Sequence, residues 1–227
     1  HLPLPAQAIW YVTTAGAGTR SGTDWLNASG NLQATIDAAQ PGDEIWVAGG
    51  TYVPSIPHGG TWANYSTFYI NKNIGIYGGF AGNETDRSQR DWVANPTVLS
   101  GDLLGDDEQS IGADALLDHT SREDNAYHVV WIGLVDTTMV LSGVTVENGN
   151  ARFSSESALG GGLYIAGSGS GHATRPRIEH CVFYRNAAYD MGGAIYNDGA
   201  NGGAANMQLN GCTFWSNYAY LNGGAVS

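Results

Sequence analysis

Acidic side chains are concentrated in one stretch in the middle of the chain. Asp102, Asp106, Asp107 and Glu108 lie close together there, and Arg122 is the only lysine or arginine near them. Calcium binds several oxygen ligands, and carboxylates on one loop can supply them. The spacing differs from that of an EF-hand loop. These four residues therefore predict either a calcium site or an acidic insertion in contact with solvent.

Aromatic side chains near the end of the chain form a second group with binding chemistry. Alternate side chains of a strand point to opposite faces, so a residue that follows an inward-pointing one points outward. Rows of exposed rings stack on sugars or are covered by another protein. The alternatives are rows that only stabilise the sheet or that lie beneath loops. The expected binding residues are Tyr164, Tyr184, Tyr189, Tyr196, Trp215 and Tyr220.

These aromatic positions recur because the chain itself repeats. Residues 183–186 (FYRN) and the following GGAIY return 31 residues later, at 214–217, as FWSN followed by GGAV. A period of about 20–50 residues is typical of a solenoid, whose repeats stack on one another. We expect the two cysteines, which share this offset, to be reduced and buried. The predicted inward stacks are Leu141/Ile178/Leu209, Val144/Cys181/Cys212 and Val146/Phe183/Phe214.

A short amphipathic helix is predicted ahead of most of the strands. Leu32, Ile36 and Ala39 fall on one helical face, Ser29 or Asn31 can cap its start, and the Pro-Gly pair at 41–42 ends it. The first repeat of a solenoid exposes apolar side chains and unpaired strand edges. A helix at this place therefore predicts a cap over the first repeat.

Composition narrows the classes of partner. The chain has 227 residues, 33 glycines and only 13% charged residues, which favours strands and turns over a helical bundle. The net charge of −12 disfavours nucleic acid, since phosphate contacts need clustered lysine and arginine. An anionic membrane surface is disfavoured for the same reason. No apolar run has the length of a transmembrane segment.

Two parts of the chain resemble known families. Residues 10–12, the helix at 32–39 and residues 42–52 resemble the N-terminal cap of secreted right-handed parallel β-helix proteins, among them polysaccharide lyases. The FxxN and GGA motifs of residues 141–227 resemble the passenger repeats of polymorphic membrane proteins, which are autotransporter adhesins. The resemblance implies an all-β, right-handed parallel β-helix with a short N-terminal capping helix. It also implies an extracellular or cell-surface location.

Catalysis is the alternative that this resemblance raises. β-Helix enzymes that cleave polysaccharides use paired carboxylates or a base that removes a proton beside a uronate carboxylate. Lys72 is the only lysine, and Asp106 and Asp107 are adjacent, but neither has a hydrolase or lyase motif around it. We therefore expect a protein without enzymatic activity, and the alternative is a polysaccharide lyase acting on acidic glycans.

The ends of the chain complete the expected organisation. Residues 1–8 are expected to be a leader remnant or an N-terminal extension, because residues 6–8 have the Ala-x-Ala form of a signal-peptidase site. Residues 9–227 are expected to form one β-helix domain. Its last repeat has no capping element, so we expect the domain to continue beyond residue 227 or to be capped there by a partner. We expect a structural or adhesive role, with protein chains bound at the open C-terminal end or flank, or with polysaccharide bound there.

Overall fold

The computed structural model describes residues 7–152 and 158–227. Most of the described chain is parallel β-sheet, and helices are few and short. This architecture is compatible with the all-β parallel solenoid that the repeats predict. Residues 1–6 of the expected leader remnant lie outside the described residues.

The strands of the described residues are two to six residues long, and the segments between them range from single residues to long insertions. In chain order they are β1 (Ile9–Val12), β2 (Glu44–Ala48), β3 (Gly50–Tyr52), β4 (Phe68–Ile70), β5 (Gly75–Phe80), β6 (Thr97–Ser100), β7 (Val130–Gly133), β8 (Val140–Ser142), β9 (Val144–Glu147), β10 (Asn150–Ala151), β11 (Leu163–Ala166), β12 (Ala173–Thr174), β13 (Arg177–Glu179), β14 (Val182–Tyr184), β15 (Ala187–Ala188), β16 (Ile195–Asp198), β17 (Ala204–Ala205), β18 (Gln208–Asn210), β19 (Thr213–Trp215) and β20 (Tyr218–Ala219). The helix α1 spans Leu32–Ala38, and 3-10 turns span Trp25–Asn27, Ala63–Tyr65, Arg87–Gln89, Ala113–Ala115 and Thr120–Arg122.

Strands from different repeats pair in parallel and form five sheets within the described residues. The order of strands is β1-β2-β5-β8-β13-β18 in sheet 1, β3-β6-β9-β14-β19 in sheet 2, β4-β7-β11-β16 in sheet 3, β10-β15-β20 in sheet 4 and β12-β17 in sheet 5. Ile178 pairs with Leu141 and Leu209, and Phe183 pairs with Val146 and Phe214. The register predicted for these two stacks is therefore confirmed.

The core lies between the sheets and consists of the inward stacks. In sheet 1 the aliphatic residues Ile45, Ile76, Leu141 and Ile178 occupy one register position and are almost fully buried. Burying each such side chain contributes about 1.5–3 kcal/mol. Cys181 and Cys212 are both free thiols, Cys181 buried and Cys212 half-buried at the edge of the same core.

The capping helix α1 forms where the sequence predicts it. The side chain of Asn31 accepts a hydrogen bond from the Ala34 N–H, which makes Asn31 the N-cap. Leu32 and Ile36 are buried in the core against β1 and β4. At the other end of the helix, the Lys72 ammonium donates to the carbonyls of residues 36, 37 and 39. The only lysine of the chain thus caps a helix.

Candidate functional site

Sheet 3 carries a row of four aromatic side chains, one from each strand. Tyr69, Trp131, Tyr164 and Tyr196 occupy the same register position, and we call these four residues the aromatic column. Ring centroids are 5.0 Å apart from Tyr69 to Trp131, 6.1 Å from Trp131 to Tyr164 and 5.8 Å from Tyr164 to Tyr196. The column is thus a continuous row of rings across four repeats.

Strand alternation explains why these rings share one face. Each ring follows a buried, inward residue of its strand, namely Phe68, Val130, Leu163 and Ile195. The ring of Trp131 lies over Gly133, where an added Cβ would come within 2.5 Å of the indole. Glycine at position 133 therefore lets the indole lie along its strand, so that the ring covers backbone and presents a flat surface.

Exposure differs along the column. Tyr69, Trp131 and Tyr196 are half-buried, whereas Tyr164 is only 2% exposed and its hydroxyl donates to Asp198 Oδ2 at 2.8 Å. The expectation that Tyr164 is exposed is therefore wrong, because neighbouring side chains cover it. Tyr164 supports the column from within, while its three partners reach solvent.

Two histidines border the column. The His58 imidazole stacks on Tyr69 at 3.8 Å between centroids, and His128 lies 5.2 Å from the ring of Tyr164. Burial lowers the pKa of His58 and lowers that of His128 to about 4, since desolvation disfavours the imidazolium. Both histidines are therefore neutral at pH 7, and the column has no positive charge beside it from this source.

Concave surface adjoins the column beside Trp131 and Tyr164. A cavity of about 210 Å³ lies beside Trp131 and Tyr164, with Ser168, His172 and the exposed Leu134 on its walls. A second cavity of about 310 Å³ is formed by residues 60–62 and Tyr65, in the loop that carries His58. Apolar ring faces with a few polar groups at the edge suit a ligand with both apolar faces and hydroxyls, such as a sugar.

The aromatic pairs expected at the C-terminal repeats are also present. Tyr184 stacks on Trp215 at 4.2 Å, and Tyr189 stacks on Tyr220 at 5.3 Å. Trp215 is 55% exposed, and Phe183, which precedes Tyr184 in sequence, is fully buried, as alternation requires. These four rings lie on sheets 2 and 4 or at their ends, apart from the column on sheet 3.

Sequence reasoning found only half of the column. Tyr164 and Tyr196 were expected, whereas Tyr69 and Trp131 were missed because the repeat was traced back only to Leu141. The signal was present in the triplets FYI at 68–70, VWI at 130–132, LYI at 163–165 and IYN at 195–197. Each triplet places an aromatic residue after an apolar one at the start of a strand.

The acidic segment is arranged around a buried ion pair. Arg122 is fully buried and donates to Asp107 Oδ2 at 2.7 Å, to Asn148 Oδ1, and to the carbonyls of Leu116, Gly149 and Arg185. All five guanidinium N–H donors can thus be satisfied. Leu116 and Leu117 pack on Ala187 of sheet 4. The insertion is therefore anchored to the sheets, and solvent contacts only its outer residues.

This arrangement changes the set of carboxylates that face one another. Asp107 is engaged by Arg122, and the Glu108 carboxylate accepts from the Ser110 N–H, so these two expected ligands lie outside the cluster. Oxygens of Asp102, Asp106 and Asp124 lie within 4.8 Å of one another among the described residues. Asp124 belongs to the same acidic stretch of the sequence but was not among the expected ligands. Calcium binding stays a prediction, now for these three residues.

Comparison with protein-family models, curated proteins and solved structures returned no significant match to this chain. The resemblances noted from short motifs therefore stay expectations. Among the described residues, no helix combines the length and the apolar character needed to cross a membrane.

Proposed function

We propose that this chain is a right-handed parallel β-helix that acts without enzymatic activity outside the cell or at its surface. Its role is structural or adhesive, and it binds glycans or protein partners through its flank. The aromatic column on sheet 3 is the principal binding surface, and a glycan is the ligand that it suits best.

The observation that carries this proposal is the register of Tyr69, Trp131, Tyr164 and Tyr196. Four rings at successive repeats form an extended row in which three rings reach solvent, and an extended row suits a polymer of similar units. The rings that reach solvent offer apolar faces, which stack on the C–H faces of sugars. His58 and the hydroxyl of Ser168 supply hydrogen-bonding groups near the same surface.

Lys72 has a structural position that does not favour the lyase alternative. Its ammonium contacts three carbonyl oxygens at the end of α1, which satisfies its three N–H donors. A base for an elimination would need a free amine beside the substrate. The protein is therefore proposed as a binding protein.

A panel of immobilised neutral and acidic glycans tests the proposal. The wild-type chain should bind at least one class of glycan, and Trp131→Ala should lose about tenfold or more in affinity, since one stacked ring contributes on the order of 1–2 kcal/mol. Trp215→Ala, on sheet 2, is the matched control and should retain binding. Equal losses in both variants, or no binding by the wild type, would refute the assignment to the column.

A further inference from the structure

A cleft lies on sheet 1, away from the aromatic column. It has a volume of about 510 Å³ and lies between the outer edge of β1 and β2 and the loop after β5. Its walls include Glu44 and Trp46 from β2 and Arg87, Arg90 and Trp92 from the loop. Two of the eight arginines of an acidic protein thus meet in one cleft.

Both guanidinium groups are held by one tyrosine. The Cζ atoms of Arg87 and Arg90 lie 4.4 Å and 5.1 Å from the ring centre of Tyr77, at cation–π distance. Arg90 is further fixed by hydrogen bonds from Nη2 to Ser142 Oγ at 2.8 Å and from Nη1 to the Ser142 carbonyl at 3.1 Å. The two arginines are therefore positioned before any ligand arrives.

Both arginines keep unused donors. Arg87 donates from Nη1 to Glu44 and makes no other hydrogen bond with the described residues, and Arg90 leaves Nε free. Burial lowers the pKa of Arg90, because desolvation disfavours the guanidinium charge. An anion in the cleft would offset that cost and accept hydrogen bonds from both groups.

The acidic residues of the cleft are mostly satisfied already. Glu44 accepts from Arg87 through Oε1 and from the Trp46 indole N–H through Oε2 at 2.8 Å. Asp86 accepts from the N–H and hydroxyl of Ser88 through Oδ1 only, so its second oxygen is free at the rim. The hydrogen-bonding groups of the cleft that have no partner are therefore mainly donors. The unpaired charge of Asp86 is the one that would repel an anion there.

An aromatic wall stands beside these donors. Trp92 is 37% exposed, lies 5.0 Å from the Arg90 guanidinium and is backed by the stacked ring of His180. The exposed part of this indole, beside the Arg90 guanidinium, matches a ring that carries a carboxylate. We propose that this cleft binds the carboxylate of an acidic sugar, with Arg87 and Arg90 on the carboxylate and Trp92 against the sugar ring.

Calorimetric titration of the full chain with a trisaccharide of galacturonic acid tests this site. The same trisaccharide with its carboxyl groups reduced to alcohols is the neutral control and should bind at least tenfold more weakly. Binding of the acid should weaken as salt rises, because part of the attraction is electrostatic. Equal affinity for the acid and its reduced form would overturn the proposal.

One variant is expected to weaken binding and another to strengthen it, so a general loss of stability cannot explain both results. Arg87→Gln should weaken binding about tenfold, the cost of one charge-assisted hydrogen bond of about 1.4 kcal/mol. Asp86→Asn should strengthen binding, since it removes the repelling charge and asparagine caps a helical turn as well as aspartate does. Arg177→Gln, which alters another paired arginine of sheet 1 outside the cleft lining, should change nothing.

Two further outcomes separate this site from others. Trp131→Ala should leave titration with the uronic acid unchanged, so failure of the cleft and failure of the aromatic column are distinguishable. A glutamate-rich peptide that binds as tightly as the trisaccharide would refute a sugar site. A loss of affinity in Arg177→Gln equal to that in Arg87→Gln would show that general charge, and no specific cleft, causes the binding.

Discussion

Arg122 and Asp107 show how one buried ion pair anchors a long insertion. Taking two charges out of water costs several kcal/mol, and this cost is offset only when the remaining hydrogen bonds are made. Arg122 makes them with three carbonyls and Asn148, and Asn125 donates to the same Asp107 oxygen at 3.0 Å. Burial raises the pKa of Asp107 to about 6, so the carboxylate is ionised and the pair is intact at pH 7.

Removal of one charge of this pair should destabilise the protein strongly. Asp107→Asn leaves the Arg122 guanidinium buried without a counter-charge, which costs about 3–5 kcal/mol in the free energy of unfolding. Urea titration measures the loss. Arg177→Gln, which breaks the partly exposed pair with Glu179, is the control and should cost less than about 1 kcal/mol. Equal stability of Asp107→Asn and wild type would show that the insertion is not anchored by this pair.

His128 makes the stability of the fold depend on pH. The unfolded chain binds a proton on this histidine below pH 6.5, whereas the folded chain does so only below about 4. Stability should therefore fall as the pH drops from about 6.5 to 4, with a slope of up to about 1.4 kcal/mol per pH unit, and then level off.

The difference between wild type and His128→Gln isolates the contribution of the histidine. Thermal or urea unfolding is measured from pH 7 to pH 4. As the pH falls, the free energy of unfolding of the variant should rise relative to that of the wild type. A gap that is constant over this range would mean that His128 titrates normally in the folded state.

At the level of elements, the sequence predicted the helix and those strand pairs that a local sequence pattern specifies. The Asn31 cap and the apolar face of α1 identify the helix, and the 31-residue offset gives the pairing of β13 with β18 and of β14 with β19. The aromatic column required the pairing of β4 with β7 and β11, which are separated by insertions of unequal length. Unequal loops leave no constant period, so only the triplet pattern of the strands could have shown it.

Lys72 offers a test of the helix cap and of the lyase alternative together. Lys72→Met removes the ammonium that contacts three carbonyls at the end of α1, and we expect a loss of about 1 kcal/mol in the free energy of unfolding. Lys72→Arg should recover part of it. Glycan binding should be unchanged in both variants. A uronate-cleaving activity in the wild type that is absent from Lys72→Met would instead establish the lyase alternative.

Across the whole molecule, parallel pairing of the strands aligns the short motifs of successive repeats into long rows. A residue type that recurs once per repeat becomes a row, and the rows on different sheets differ in chemistry. Sheet 3 carries the aromatic column, sheet 1 carries the arginine cleft, and sheet 4 is covered by the anchored insertion. Distance in sequence hid Arg87 from Glu44, since pairing across repeats brings such residues together.

The affinity series at position 131 tests the binding role of the aromatic column most directly. The panel oligosaccharide that the wild-type chain binds most tightly is titrated by calorimetry into wild type, Trp131→Phe and Trp131→Ala. Stacking on the indole predicts that affinity falls in this order, with Trp131→Ala weaker than wild type by about tenfold or more. Thermal melts confirm that all three are folded. Equal affinity in the three proteins would contradict the role of the column in binding.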